Sequence, residues 1–128
     1  MRPTPWRIVY ADGSANAYRF AQTSAGAPVS FEYVPVTPET SSTGHYSGGE
    51  PHAVDLSPDD ARIDELWRRI DALAADTASH TPDRAKGTGA FTIETPAGTR
   101  QLLIARGAAL DAFHAFAAAF RAQPTWPR

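Results

Sequence analysis

The sequence predicts an α+β fold in which a mainly antiparallel sheet carries two helices packed on one face. Six short segments alternate apolar and polar side chains and end at turn residues, as strands do. Two longer segments repeat apolar side chains with helical spacing, and the combined order of elements is ββββαββα. A length of 128 residues suits one domain, and we expect a single domain over residues 1–128.

The first two strands are predicted on either side of an Asp-Gly pair. Residues 6–10 and 16–21 have high β-propensity, with Tyr10 and Tyr18 on the same face. The pair Asp12-Gly13 predicts a type I′ turn, whose two central residues both need positive φ. Aromatic side chains are therefore expected to pair across this hairpin.

The next two strands are predicted to pair antiparallel. Residues 29–36 predict the third strand, because Val29, Phe31 and Tyr33 alternate with polar side chains. Proline residues then end the ladder, since proline lacks the N–H donor. Residues 52–56 predict a short fourth strand beside the third.

The first helix has clear signals at its start. Ser57 is predicted as the N-cap and Pro58 as the first helical residue, where its missing N–H costs nothing. The helix is expected to end near residues 75–77. Its predicted apolar face consists of Ile63, Leu66, Trp67, Ile70, Leu73 and Ala74. Two ion pairs are expected along it, Asp64 with Arg68 and Glu65 with Arg69.

A second hairpin and a second helix complete the chain. Residues 88–94 and 99–105 predict the hairpin, with a Pro-Ala-Gly turn between them. Residues 108–122 predict the helix, and His114 lies at the edge of its apolar face, where we expect a solvated side chain. In the tail that follows, Trp126 is expected to pack on the body of the domain.

The composition excludes several kinds of site and partner. The chain has no cysteine, which excludes disulfides and thiolate metal sites. The formal net charge is -2 without a basic stripe, so nucleic acid is not an expected partner. No apolar run reaches membrane-spanning length, and from residues 1–7, which lack an apolar stretch, we expect no secretory signal. We expect a soluble cytoplasmic protein, and its abundant Ala, Arg, Pro and Gly are typical of GC-rich bacterial coding.

Residues 38–50 interrupt the strand pattern and form the candidate binding surface. A long loop inside a small compact domain is usually functional or disordered. Tyr46 is the large aromatic residue of an otherwise small and polar segment, and tyrosine is enriched at binding hot spots. The candidate binding residues are Ser41, Ser42, His45, Tyr46, Ser47, Gly48 and Gly49.

No metal site or catalytic group is predicted around this loop. His45, Glu50, His52 and Asp55 lie close in sequence, but strand alternation places His52 and Asp55 on opposite faces. Ser47 lies near His45, yet the G-x-S-x-G motif of a nucleophile elbow is missing. We therefore expect no metal, no cofactor and no catalytic residue.

Four segments from residue 47 onward carry a family resemblance. They are Ser47-Gly48-Gly49, Leu56-Ser57-Pro58-Asp59 before an amphipathic helix, Phe91-Thr92-Ile93-Glu94 in a hairpin, and Leu110 with Phe113 in the last helix. This layout, over roughly the last two thirds of the chain, resembles the emfourin-type proteinaceous inhibitors of thermolysin-like metallopeptidases. The resemblance implies an antiparallel sheet with two helices and a non-enzymatic, protein-binding role.

Two functional hypotheses follow from these patterns. The first is a small non-catalytic binding module, similar to a peptidase inhibitor, that uses the loop at residues 40–50 to bind another protein. The alternative is a small-ligand binder or an enzyme with a pocket between the sheet and the helices. The aromatic residues Trp6, Tyr10, Tyr18, Phe20, Phe31 and Tyr33 could line such a pocket, although residues of this kind more often form plain core. A pocket with convergent polar groups would favour the alternative, whereas a protruding loop on a shallow surface would favour the first.

Overall fold

The computed structural model of the chain describes residues 2–125 and contains one antiparallel sheet of six strands. The strands are β1 (Trp6–Ala11), β2 (Ala17–Gln22), β3 (Val29–Val34), β4 (His52–Leu56), β5 (Gly89–Thr95) and β6 (Gly98–Ile104). Their spatial order is β4-β3-β2-β1-β5-β6. The helices are α1 (Ala61–Ala75) and α2 (Ala108–Ala118), and a 3₁₀ turn (Ala119–Ala122) continues α2. The predicted α+β class and the order ββββαββα are confirmed.

One face of the sheet carries the core, because alternation brings every second side chain of each strand to it. In register, one cross-strand row consists of Leu102, Phe91, Tyr10, Tyr18, Tyr33 and His52. Both helices cover this face. Trp67 of α1 packs edge-on against Trp6, with ring centroids 5.2 Å apart, and Phe113 of α2 packs edge-on against Tyr10 at 5.1 Å. The predicted aromatic pairing of Tyr10 with Tyr18 is present at 5.3 Å.

The start of α1 differs from the prediction. Asp60, and not Ser57, is the N-cap, and its side chain accepts a hydrogen bond from the Arg62 N–H at 2.9 Å. Ser57 instead closes a preceding turn, in which its carbonyl accepts from the Asp60 N–H at 3.1 Å. Two good capping residues compete here, and the turn moves the helix start three residues along.

The charged face of α1 also differs in part. Glu65 and Arg69 form the predicted ion pair at 2.8 Å. Among residues 2–125, Asp64 and Arg68 form no ion pair within 4.0 Å, and both are exposed. An exposed pair gains about 0.5 kcal/mol at most in a helix, which does not fix two long side chains in one geometry.

The first hairpin turn is longer than the predicted two-residue type I′ turn. The Asp12 N–H donates to the Asn16 carbonyl at 3.0 Å, and Ala15, not Gly13, takes the left-handed conformation with φ 69°. This is the hairpin in which a tight turn is followed by a bulge. The Asp12 carboxylate stabilises it by accepting from the backbone N–H groups of Ser14 and Asn16 at 2.9 and 3.0 Å.

The remaining element boundaries shift slightly. The third strand ends at Val34 rather than at residue 36, and the second helix becomes a 3₁₀ turn after Ala118. Trp126, expected to pack on the domain, lies outside the described residues. Between residues 2 and 125, no helix is both long and apolar enough to cross a membrane.

Candidate functional site

A cavity of about 420 Å³ opens at one end of the core face, over three tyrosines of adjacent strands. We call it the tyrosine pocket. Its floor is formed by β1, β2 and β3, one wall by α2 with its 3₁₀ turn, and another by the loop before β4. The lining residues are Tyr10, Tyr18, Tyr33, Asp12, Gly13, Ser14, Asn16, Tyr46, Ser47, Gly48, Gly87, Leu110, Asp111, His114 and Arg121.

The floor consists of Tyr10, Tyr18 and Tyr33, which are neighbours in one cross-strand row. Their rings are buried, and the ring centroids of Tyr18 and Tyr33 lie 4.9 Å apart. The Tyr10 hydroxyl lies 2.9 Å from Nδ1 of His114, and the Tyr33 hydroxyl donates to the Gly48 carbonyl at 2.6 Å. The Tyr18 hydroxyl lies between them, within hydrogen-bonding reach of the Arg121 guanidinium.

Burial keeps these hydroxyls protonated. It raises the pKa of Tyr18 to about 12, although the nearby Arg121 guanidinium acts in the opposite direction. Burial likewise raises the pKa of Tyr10, with the Asp12 carboxylate adding to the effect, and the pKa of Tyr33. At neutral pH the floor therefore presents neutral hydroxyls and no tyrosinate.

The turn wall is built on two buried polar side chains, Asp12 and Asn16. Besides its two bonds from the turn backbone, the Asp12 carboxylate accepts from Nδ2 of Asn16 at 3.1 Å. A buried carboxylate is stable when several donors satisfy its oxygens. These contacts use the acceptor capacity of Asp12 within the fold, so we assign it a structural role.

Asn16 also holds the loop before β4 against the sheet through hydrogen bonds. Its Oδ1 accepts from the Val36 N–H at 2.9 Å, and its Nδ2 donates to the Tyr46 hydroxyl at 3.0 Å. The Gly48 N–H donates to the Val36 carbonyl at 2.8 Å. A Cβ at Gly48 would lie 1.9 Å from Asn16 Oδ1, so glycine is required for this close approach. The second half of the loop is thus held against the tyrosine floor.

The helix wall crosses the strands. Phe113 contacts Tyr10 of β1, and Phe120 in the 3₁₀ turn contacts Phe31 of β3, with ring centroids 5.5 Å apart. Near the far end, the Arg121 guanidinium carbon lies 4.0 Å from the centroid of the Tyr33 ring. Its Nη2 makes a long contact of 3.4 Å with the Gly48 carbonyl, and the guanidinium lies within hydrogen-bonding reach of the Tyr18 hydroxyl. The guanidinium therefore stacks on the floor, and within residues 2–125 it forms no ion pair.

The seven candidate residues of the loop fall into two groups. Tyr46, Ser47 and Gly48 line the tyrosine pocket. Gly49 follows them, and its N–H donates a hydrogen bond to the Ser47 hydroxyl at 3.2 Å. The other three do not line it. Ser41, Ser42 and His45 lie in the outer part of the loop, where Ser41 and His45 contact Thr43.

Sequence reasoning missed most of the pocket. The sequence favours a core role for the three floor tyrosines and leaves the lining of a cavity only as the alternative, and Arg121 has no motif around it. His114, expected as a solvated edge residue, is half-buried and bonded to Tyr10, because α2 lays its edge over the tyrosine row. A usable signal was the spacing of His114 and Arg121, which lie two helical turns apart on one face.

The histidine and acidic side chains beside the loop do not converge. Among residues 2–125, no group of three or more His, Cys, Asp or Glu residues could hold a metal ion. His52 pairs with Tyr33 and Asp55 pairs with Ser30, so the two side chains lie on opposite faces, as strand alternation predicts. Nε2 of His52 lies 2.8 Å from the carbonyl oxygen of Gln123.

Comparisons of the chain with protein-family models, with curated proteins and with solved structures found no match.

Proposed function

We propose that this protein binds a small organic carboxylate in the tyrosine pocket. The observation that carries the proposal is the Arg121 guanidinium inside it, which stacks on Tyr33 beside the neutral Tyr18 hydroxyl and forms no ion pair with any of residues 2–125. Arginine presents a planar fork of N–H groups that matches a carboxylate, and a neutral hydroxyl adds a further donor.

The remaining polar groups of the pocket support an oxygen-rich ligand. The acceptors of Asp12 and of the Gly48 carbonyl are already occupied by donors of the protein. A ligand therefore meets mainly donors at the end of the pocket where Arg121 lies. Charge-assisted hydrogen bonds between a guanidinium and a carboxylate are about twice as strong as neutral ones.

The dimensions of the pocket also support a small molecule. Its volume of about 420 Å³ lies within the range of small-molecule sites. Polar groups from three separate parts of the chain converge on it, which favours the pocket over the loop alone. Residues 46–48 still contribute, because they form one wall of the same pocket.

Calorimetric titration tests the proposal with acetate, succinate and glutarate as probes. We expect saturable binding of at least one of them with Kd of about 1 mM or tighter, weakened about tenfold or more in Arg121→Gln. Arg68→Gln is the matched control, since Arg68 is exposed on α1 and lines no part of the pocket. Equal affinity in Arg121→Gln, or no binding by the wild type, would overturn the proposal.

A second candidate is binding of another protein through Tyr46. Among residues 2–125 it is the one exposed large hydrophobic side chain, with 39% of its surface accessible. This exposure supports the emfourin-like hypothesis of a peptidase inhibitor. Inhibition of a thermolysin-like metallopeptidase that is lost in Tyr46→Ala would favour it, and no inhibition by the wild type would remove it.

A further inference from the structure

We infer that the ligand is a short linear peptide of about three residues, an inference that rests on the proposed carboxylate site. The peptide binds with its C-terminal carboxylate at Arg121 and its N-terminal ammonium at Asp111. The inference comes from the opposite charges that α2 and its 3₁₀ turn place along one side of the tyrosine pocket.

The two charges lie at opposite ends of the tyrosine floor. Arg121 stacks on Tyr33 of β3. Asp111 lies in the first turn of α2, beside Leu110 and before Phe113, which packs on Tyr10 of β1. His114 lies between the two charges and contacts Tyr10 and Tyr18. The pocket is therefore negative over β1 and positive over β3.

Both end groups are available to a ligand. Within residues 2–125, neither Asp111 nor Arg121 forms an ion pair with another side chain. The nearby Arg84 is not a competing cation, because its guanidinium donates to the Asp12 carbonyl and to Thr88. A ligand with one cationic and one anionic end would neutralise both groups together.

The length of the floor sets the length of the ligand. Adjacent strands lie about 4.8 Å apart, so the step from β1 to β3 is about 10 Å. An extended peptide advances about 3.3–3.6 Å per residue, so three residues span that distance. A single amino acid, about 3.5 Å long, does not span that step. The Tyr18 hydroxyl lies midway and is the donor available to an amide carbonyl of the peptide.

The probes are trialanine, N-acetyl-trialanine and trialanine amide, titrated calorimetrically into the full chain. We expect trialanine to bind about tenfold or more tightly than either blocked form, because each block removes one end charge. In Asp111→Asn the preference over N-acetyl-trialanine should disappear. Asp55→Asn is the matched control, since Asp55 is an exposed acid on the opposite face of the sheet, and it should keep that preference. A thermal melt confirms that both variants fold.

The outcomes separate the two proposals. If N-acetyl-trialanine binds as tightly as trialanine while the amide binds weakly, the carboxylate site stands and the peptide inference is wrong. If the amide binds as tightly as trialanine, recognition of the carboxylate at Arg121 is wrong, and both proposals fail. The absence of any trialanine binding, with acetate or glutarate still bound, also overturns the peptide inference alone.

Discussion

The Tyr10 hydroxyl and Nδ1 of His114 lie 2.9 Å apart, although 104 residues separate the two in the chain. This contact joins β1 to α2 at the floor of the tyrosine pocket. A hydroxyl is both donor and acceptor, and an imidazole nitrogen is one or the other, so the pair satisfies both groups in either tautomer.

A double-mutant cycle measures this contact. Tyr10→Phe and His114→Ala are expected to show a coupling energy of about 1 kcal/mol in urea unfolding, the usual net value of such a hydrogen bond. Tyr33→Phe combined with His114→Ala is the control and should show no coupling, because Tyr33 donates to Gly48. Purely additive effects of Tyr10→Phe and His114→Ala would mean that the contact contributes nothing to stability.

Trp67→Ala is expected to cost about 3–5 kcal/mol of unfolding free energy, the range of large core truncations. Trp67 is only 4% exposed and packs edge-on against Trp6. Denaturant melting measures the loss. The neighbouring Arg68→Ala serves as control and should change stability by less than about 0.5 kcal/mol. A loss below about 1 kcal/mol in Trp67→Ala would contradict this account of the inner face of α1.

Tyr46→Ala is expected to leave stability nearly unchanged, within about 0.5 kcal/mol, because Tyr46 is exposed, with 39% of its surface accessible, and is not part of the hydrophobic core cluster. Its hydroxyl accepts from Asn16, but Asn16 keeps its bonds to Asp12 and Val36 without it. A thermal melt measures the effect. If Tyr46 is a hot spot for a protein partner, the same change weakens that binding by about 2 kcal/mol or more. A large drop in the melting temperature would show instead that Tyr46 supports the fold.

The raised pKa of Tyr18 predicts a loss of stability at alkaline pH. Its stabilising contribution is fully present below pH 10, the ordinary pKa of tyrosine, and is lost as pH rises towards about 12. In that window the unfolded chain releases the proton and the folded chain keeps it. Urea midpoints measured across the window should fall less steeply in Tyr18→Phe. The same slope in wild type and variant would contradict the burial of this hydroxyl.

The fold could be predicted because its signals are local. Alternation in residues such as Val29, Phe31 and Tyr33 defines a strand, and the spacing of Trp67 and Ile70 defines a helix face, without knowledge of the rest of the chain. The error in the start of α1 also has a local cause, because two neighbouring residues compete for the same capping role. Ser57 and Asp60 are both good caps, and only the preceding turn decides between them.

The site could be predicted only in part. The loss of apolar periodicity predicted residues 46–48 as part of a binding loop, and these residues line the tyrosine pocket. The floor depends on strand register, which places Tyr10, Tyr18 and Tyr33 side by side, and each of them alone is an ordinary core residue. The position of Arg121 depends on the direction in which α2 crosses the sheet, and no local pattern encodes that direction.

Backbone amide NMR during a glutarate titration shows whether the tyrosine pocket binds a carboxylate through Arg121. We expect saturable shift changes concentrated at Ser14, Ser47, Gly48 and His114, which line three different walls. In Arg121→Gln the same titration should give no saturation over the concentration range that saturates the wild type. Saturable changes confined to residues outside the pocket, or an unaltered titration in Arg121→Gln, would contradict the account.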